Sequence, residues 1–113
     1  VWEHSYLERE RLKVKFKVWL EKNGEPIISE GKYRLLKEIE NSGSILKASE
    51  KLGLSYKRAY SQIKAIEERL GSKILERKRK RGAKLTDIGR RIIREYEEVI
   101  GEFEKLAEEF STE

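Results

Sequence analysis

The chain is 113 residues long, carries a net charge of +5 with 42% of its residues charged, and contains neither cysteine nor methionine. That length bounds one modest domain plus a projecting element, and the missing cysteines exclude disulfides and Cys-based zinc sites. With no apolar run near the ~18 residues of a membrane span and no secretory pattern at the start, a cytoplasmic protein outside the membrane is expected.

Residues 1–11 show no clean period and read as an N-terminal tail in which Trp2, Tyr6 and Leu7 are scattered. The missing methionine predicts that residue 1 is not the translated start. His4, the sole histidine, lies in this tail with no second ligand set beside it, so no metal or catalytic role is assigned. From Leu12 to Leu20, Leu12, Val14, Phe16, Val18 and Leu20 alternate with Lys13, Lys15, Lys17 and Trp19, the period of a strand. Asn23-Gly24 is a hairpin turn signal, and Pro26 to Ser29 form a short return strand, which gives a hairpin over 12–29.

Three helices follow. The first is predicted over about 30–41, with Tyr33, Leu35, Leu36 and Ile39 at helical spacing. Ser44 is placed to cap a second over 44–51, which buries Ile45, Ala48 and Leu52, and Gly53 supplies a turn. Ser55 caps a third over 55–70, whose inward stripe is Ala59, Ile63, Ile66 and Leu70. That stripe turns Ser55, Tyr56, Lys57, Arg58, Ser61, Gln62 and Lys64 to other faces. Together with Ser44 they are candidate DNA contacts. Arg58 and Lys57 can donate to guanine or phosphate, Gln62 can pair with adenine, and Tyr56 can meet a phosphate or a thymine methyl. Tyr60 is left open between packing on the first helix and leaning toward the groove.

A strand-turn-strand over 73–85 comes next, opened by Ile74-Leu75 and closed by Ala83-Lys84-Leu85. Between them, Arg77, Lys78, Arg79, Lys80 and Arg81 repel one another in isolation, and a phosphate backbone would relieve that repulsion through counterion release. Lys84 joins this candidate set. Thr86 then caps a long helix over 86–110 that carries Ile88, Ile92, Tyr96, Val99, Phe103, Leu106 and Phe110 on one stripe. No other predicted element remains to cover that stripe beyond about residue 95. Ile92, Tyr96, Val99, Phe103, Leu106 and Phe110 are therefore the candidate homodimer interface, against packing on the hairpin or first helix of the same chain.

The charge is segregated: residues 1–71 carry +4, residues 72–91 carry +7, and residues 92–113 carry −6. A basic block before an acidic tail predicts one face for a polyanion, whereas the solvated surface of a thermophilic protein, which the Cys- and Met-free, Lys/Glu-rich composition suggests, explains the total alone. The order of elements over 12–89 is that of a winged helix-turn-helix, a mainly α fold with a small β component. Here it has an N-terminal β-hairpin and a long C-terminal dimerisation helix.

Gly43-Ser44, Ala48, Leu54-Ser55, Gln62-Ile63-Lys64 with Glu67-Glu68, Leu70-Gly71, Ile74-Leu75-Glu76-Arg77 and Leu85-Thr86 with Gly89 resemble the DNA-binding domain of LysR-type regulators. The leading Val18 to Gly24, Glu30-Gly31, and Leu54-Ser55-Tyr56-Lys57 with Ala59 and Tyr60 are closer still to ModE-type molybdate-responsive regulators. The resemblance spans roughly residues 13 to 110 and implies DNA binding and helix-mediated dimerisation. The wing departs from the ModE pattern in being short and dominated by Lys and Arg. The family's oxyanion-binding domain has no counterpart in these residues, so molybdate sensing is not implied and no small-molecule effector site is expected.

The expected function is a sequence-specific, DNA-binding transcriptional regulator that acts as a homodimer on a two-fold symmetric operator. The alternatives are a non-specific architectural DNA-binding protein and a winged-helix protein-interaction module. No cofactor, metal or enzymatic activity is expected, because no triad, metal set or phosphate-cradling glycine loop can be assembled.

Overall fold

The structure is a computed structural model that describes residues 12–80 and 82–111. The expected tail over 1–11, including His4, and the wing residue Arg81 lie outside the described residues.

Asn23 and Gly24 both have positive φ, 53° and 80°, the pair a two-residue type I′ turn requires. They join β1 (Leu20–Lys22) to β2 (Glu25–Ile28) antiparallel, with Leu20 opposite Ile28 and Lys22 opposite Glu25. The hairpin is shorter than the alternation predicted: residues 12–19 are not strand. Their alternation serves a different partner. β2 offers only four residues to pair with, so the apolar side of the preceding segment turns instead to the C-terminal helix.

The helices lie close to their predicted bounds: α1 (Glu30–Ser42), α2 (Ile45–Lys51), α3 (Tyr56–Leu70) and α4 (Asp87–Phe110). α1 ends where Gly43 takes a left-handed conformation and its N–H returns to the Ile39 carbonyl. Between α3 and α4, β3 (Leu75–Arg77) and β4 (Ala83–Leu85) form a two-stranded antiparallel wing. Among the described residues this is a mainly helical winged helix-turn-helix, with a hairpin in front and a long helix behind. Its core is one cluster, with Leu35, Leu36 and Ile39 of α1 packed among Ala48 of α2, Ile63 and Ile66 of α3, and Ile74 and Leu85 of the wing.

α4 starts under tight control. Thr86 Oγ1 accepts from the Gly89 N–H at 3.1 Å and donates to the Lys73 carbonyl at 2.8 Å. One turn in, a Cβ on Gly89 would stand 2.6 Å from the Ile74 carbonyl oxygen, so only glycine lets the helix approach the wing strand this closely. Arg90 donates to the Leu85 carbonyl and pairs with Asp87.

Farther along, α4 leans on α1 through a polar and aromatic joint. Tyr96 stacks on Tyr33 with ring centroids 5.1 Å apart, and the Tyr33 hydroxyl donates to Glu97 at 2.5 Å. Lys37 reaches the same carboxylate at 3.2 Å. Burial and the Glu97 bond push the Tyr33 phenol up to about 12, and the Tyr33 hydrogen bond, with Lys37 beside it, holds the Glu97 carboxyl below its ordinary value.

The far half of α4 is covered along one face by the chain's own N-terminal segment, running antiparallel to it. The Tyr96 hydroxyl donates to the Val18 carbonyl at 2.9 Å, Phe16 lies 5.7 Å from Phe103, and the Val14 N–H donates to Ser111 Oγ at 3.0 Å. This corrects the expectation that nothing in the chain would cover the helix past residue 95. Tyr96 in particular, expected on the dimer seam, is 2% exposed and belongs to the chain's own core. Ile93, Tyr96, Ile100 and Ala107 form this inner face. A second stripe, rotated around the helix, stays open: Ile88, Leu106 and Phe110 are exposed, the last by 68%, Phe103 at its edge is 43% exposed beside Phe16, and Ile92 and Val99 are half-buried between them.

Candidate nucleic-acid interface

The two serines that open the helix-turn-helix set its geometry. Ser44 Oγ accepts from the Lys47 N–H and Ser55 Oγ from the Arg58 N–H, each at 3.1 Å. Their hydroxyl oxygens are thus engaged in starting α2 and α3. With Ala59, Ile63 and Ile66 buried, helical spacing turns Tyr56, Lys57, Arg58 and Ser61 to the surface, all exposed, and leaves Gln62 and Lys64 half-buried. Lys64 is drawn away from the outward set, since it pairs with Glu67 at 3.6 Å and lies 5.5 Å from the Tyr60 ring centre.

Glu67, which the LysR resemblance includes but to which the sequence assigns no role, ties α3 to the wing. Its Oε2 accepts from the Ile74 N–H at 2.9 Å, and its Oε1 faces Lys64 and Lys73. Only the fold brings this carboxylate to the strand that follows Gly71. On the opposite strand, the Ala83 N–H donates to the Gly43 carbonyl at 2.8 Å and fixes the wing to the α1–α2 turn. The wing is therefore anchored through both of its strands.

Within the wing, Leu75, Ala83 and Leu85 are buried, while Glu76, Arg77 and Lys84 are exposed. The tip closes through the Lys78 N–H to the Gly82 carbonyl at 2.8 Å, with Lys80 in a left-handed conformation at φ 58°. Lys78, Arg79 and Lys80 are all exposed.

Arg77 behaves differently from the rest of the basic run. Its Nη2 donates to the Tyr56 hydroxyl at 2.9 Å, and its guanidinium sits 5.4 Å from the centre of the Tyr60 ring. Tyr60 is stacked on Tyr56 with centroids 6.3 Å apart and planes at 14°. This settles the orientation the sequence left open for Tyr60: it lies on the wing-facing flank of α3 as the middle layer of this stack. The structure also adds Leu46, exposed on α2, to the cleft between α2, Tyr56 and Arg77.

Cations gather on this surface. Among the described residues, Lys57, Arg58, Arg77, Lys78, Arg79, Lys80 and Lys84 have no carboxylate partner; Lys15, Lys17, Lys47 and Arg94 also lack one, so what marks this surface is seven such cations on the start of α3 and the wing, which the Arg77–Tyr56 bond joins. No group of metal-ligating side chains occurs among the described residues, and no helix there is long and apolar enough to cross a membrane.

The architecture has clear relatives. The CbnR DBD–DNA complex superposes with a TM-score of 0.61 at 21% identity, over 73% of this chain and 93% of that one. The BenM DBD in complex with benA site 1 DNA gives 0.59 at 24% identity, over 70% and 91% of the two chains. ArgP from Mycobacterium tuberculosis gives 0.55 at 24% identity, and there the likeness spans 68% of this chain but only 29% of ArgP. No curated protein sequence matches. These likenesses establish the fold, and the sequence itself supplies the family: the profile described as bacterial regulatory helix-turn-helix protein, lysR family, matches residues 31–90. The chain belongs to the lysR family of bacterial regulatory helix-turn-helix proteins.

Proposed function

We propose that this chain is a sequence-specific reader of duplex DNA that regulates transcription, with α3 in the major groove and the wing on the flanking backbone. The observation that carries this reading is the set of exposed cations at the start of α3 and along the wing, none of them neutralised by a carboxylate among the described residues. Structural relatives that are themselves DNA complexes add support. In this reading Lys57, Arg58, Ser61 and Gln62 face base edges, while Lys78, Arg79, Lys80 and Lys84, with Arg81, meet phosphates. Ser44 and Ser55 present the helices, and Lys64 contributes through Tyr60 and Glu67.

The reader works as a homodimer on a two-fold symmetric operator. Support comes from the open stripe of α4, where Phe103, Leu106 and Phe110 are 43%, 51% and 68% exposed. Pairing along Ile92, Val99, Phe103, Leu106 and Phe110 covers that stripe, and a dimer places two α3 helices in major grooves about 34 Å apart or a multiple of it. Within the family we place the chain nearest the ModE type, on the strength of the hairpin ahead of α1, which precedes the matched residues 31–90.

Selection of bound duplexes from a random pool, followed by competition against bulk DNA and a solution mass, tests the whole reading. A two-fold symmetric consensus bound by a dimer is expected. Equal affinity for every duplex at moderate salt would instead establish a non-specific architectural protein. Arg58→Ala is expected to relax discrimination at one base position by about 1–3 kcal/mol. Lys80→Ala is expected to weaken binding to all sequences alike and to lower the salt slope by about 0.9.

A further inference from the structure

The cleft of about 410 Å³ between α2, the start of α3 and β3 is lined by Ile45, Leu46, Tyr56 and Arg77. We propose that it is a seat for a single backbone nucleotide of the bound duplex, in which Arg77 and Tyr56 share one phosphate and Leu46 carries the adjoining deoxyribose. The proposal deepens the DNA-binding reading and rests on it.

The chemistry follows from how the two polar groups are joined. A tyrosine hydroxyl has one proton to donate and lone pairs to accept. Arg77 Nη2 occupies the acceptor side of the Tyr56 hydroxyl at 2.9 Å, and among the described residues that hydroxyl donates to nothing. Its proton is therefore left for another acceptor, and one can approach through the cleft that Tyr56 lines. The guanidinium has further N–H donors, and no carboxylate among the described residues neutralises it. Stacking fixes both groups: Tyr56 on Tyr60, and Arg77 over the Tyr60 ring. Two converging donors with one net positive charge, already bonded to each other, suit an oxygen-rich monoanion such as a phosphodiester.

The opposite wall has different chemistry. Ile45 is buried and Leu46 is 38% exposed, so an apolar surface faces the polar pair. A phosphate alone leaves that surface wet, whereas a sugar-phosphate unit matches both walls. A base edge fits less well: no amide or carboxylate side chain lines the cleft to read adenine or cytosine, and Arg77, with Nη2 already bonded to the Tyr56 hydroxyl, has less of its fork free for the bidentate contact with guanine. Arg77 thus acts apart from the residues after it in the basic run: it works with α3, and Lys78 to Lys80 work with the wing tip.

The test uses the duplex selected from the random pool, titrated over a range of salt, with single phosphates replaced by methylphosphonates. Arg77→Ala is expected to weaken binding on the order of tenfold and to reduce the salt slope by about 0.9. Tyr56→Phe should weaken binding several-fold with the slope unchanged, and its effect should largely disappear in the Arg77→Ala background. Arg77→Lys should restore the slope without restoring that coupling. One methylphosphonate position per half-site should penalise the unsubstituted protein and leave Arg77→Ala indifferent. Additive losses for the two substitutions, or an unchanged methylphosphonate pattern in Arg77→Ala, would overturn the shared seat while leaving DNA binding intact. Failure of the unsubstituted protein to bind any duplex at low salt would overturn both.

Discussion

The wing and the far half of α4 are both built on a helix or strand packed one side down, and each is incomplete in a different way. The wing is satisfied in packing: Leu75, Ala83 and Leu85 are buried, and Glu67, Gly43 and Thr86 hold its backbone. Its deficit is charge, since among the described residues its exposed lysines and arginines have no carboxylate partner. The far half of α4 carries the acidic end of the chain, and its deficit is burial, since the N-terminal segment covers one face and leaves Leu106 and Phe110 open. In the proposed reading, unmet charge suits a polyanion and unmet burial suits an apolar surface, so the two ends of one small domain would take two different partners.

The sharpest way to break this contrast is to disturb the point where the two regions join. Gly89→Ala forces a methyl to within 2.6 Å of the Ile74 carbonyl oxygen, which neither α4 nor β3 can yield without moving. A loss of about 3 kcal/mol is expected in chemical denaturation, at the upper end for overpacking. A small loss would show that α4 and the wing shift independently.

Next in size is the burial deficit itself. Replacing Leu106 and Phe110 together by Glu touches two side chains that are mostly exposed in the single chain. The double variant should keep its monomer fold and lose at least ~2 kcal/mol of association, read as a monomeric mass where the parent is dimeric. Unfolding that remains concentration-dependent in the variant would remove the stripe from the interface.

Glu67→Gln probes the other side. The amide keeps one acceptor for the Ile74 N–H but loses the charge that faces Lys64 and Lys73. About 1 kcal/mol of stability should be lost, with Lys64 freed and the wing loosened relative to α3, visible as faster amide exchange at Ile74 and Leu75.

The smallest effect is in pH dependence, and it belongs to the α1–α4 joint. Glu97 titrates below its ordinary value in the folded protein, so its contribution is complete above about pH 4.5 and is lost as pH falls through the lowered folded value. Tyr33 is raised to about 12, so its contribution is complete below about pH 10 and is lost as pH rises toward 12. Glu97→Gln should flatten the acid limb of a stability profile and Tyr33→Phe the alkaline limb. Unchanged profiles would mean the joint is solvated.

Much of the fold was legible in the sequence because local signals agreed with one another. Ser44, Ser55 and Thr86 each cap the helix they were expected to cap, and Gly43 and Gly71 end the helices before them. The misreading at Leu12 to Leu20 has a physical cause: alternation shows that one side of an extended segment is apolar, but not whether a sheet or a helix will cover it. The same ambiguity hid the real divide on α4. Two apolar stripes share that helix, and Tyr96 lies close enough to the outer one in spacing to be assigned to it. In the site, Lys57, Arg58 and the wing lysines were readable as outward positions. The Tyr56–Tyr60–Arg77 stack and the Glu67 anchor were not, because each links residues that only the α3–wing packing brings together.

The antiparallel strap of residues 14–18 on α4 has a topological consequence. Val14 and Ser111 are hydrogen-bonded neighbours, so the chain nearly closes on itself at one place. With 24 residues in α4, that place lies about 35 Å along the helix from the wing. Fluorophores attached at residues 14 and 111 would sit side by side at the same tip. A permuted chain that links residue 111 to residue 14 and opens at the Asn23-Gly24 turn should preserve α3 and the wing unchanged.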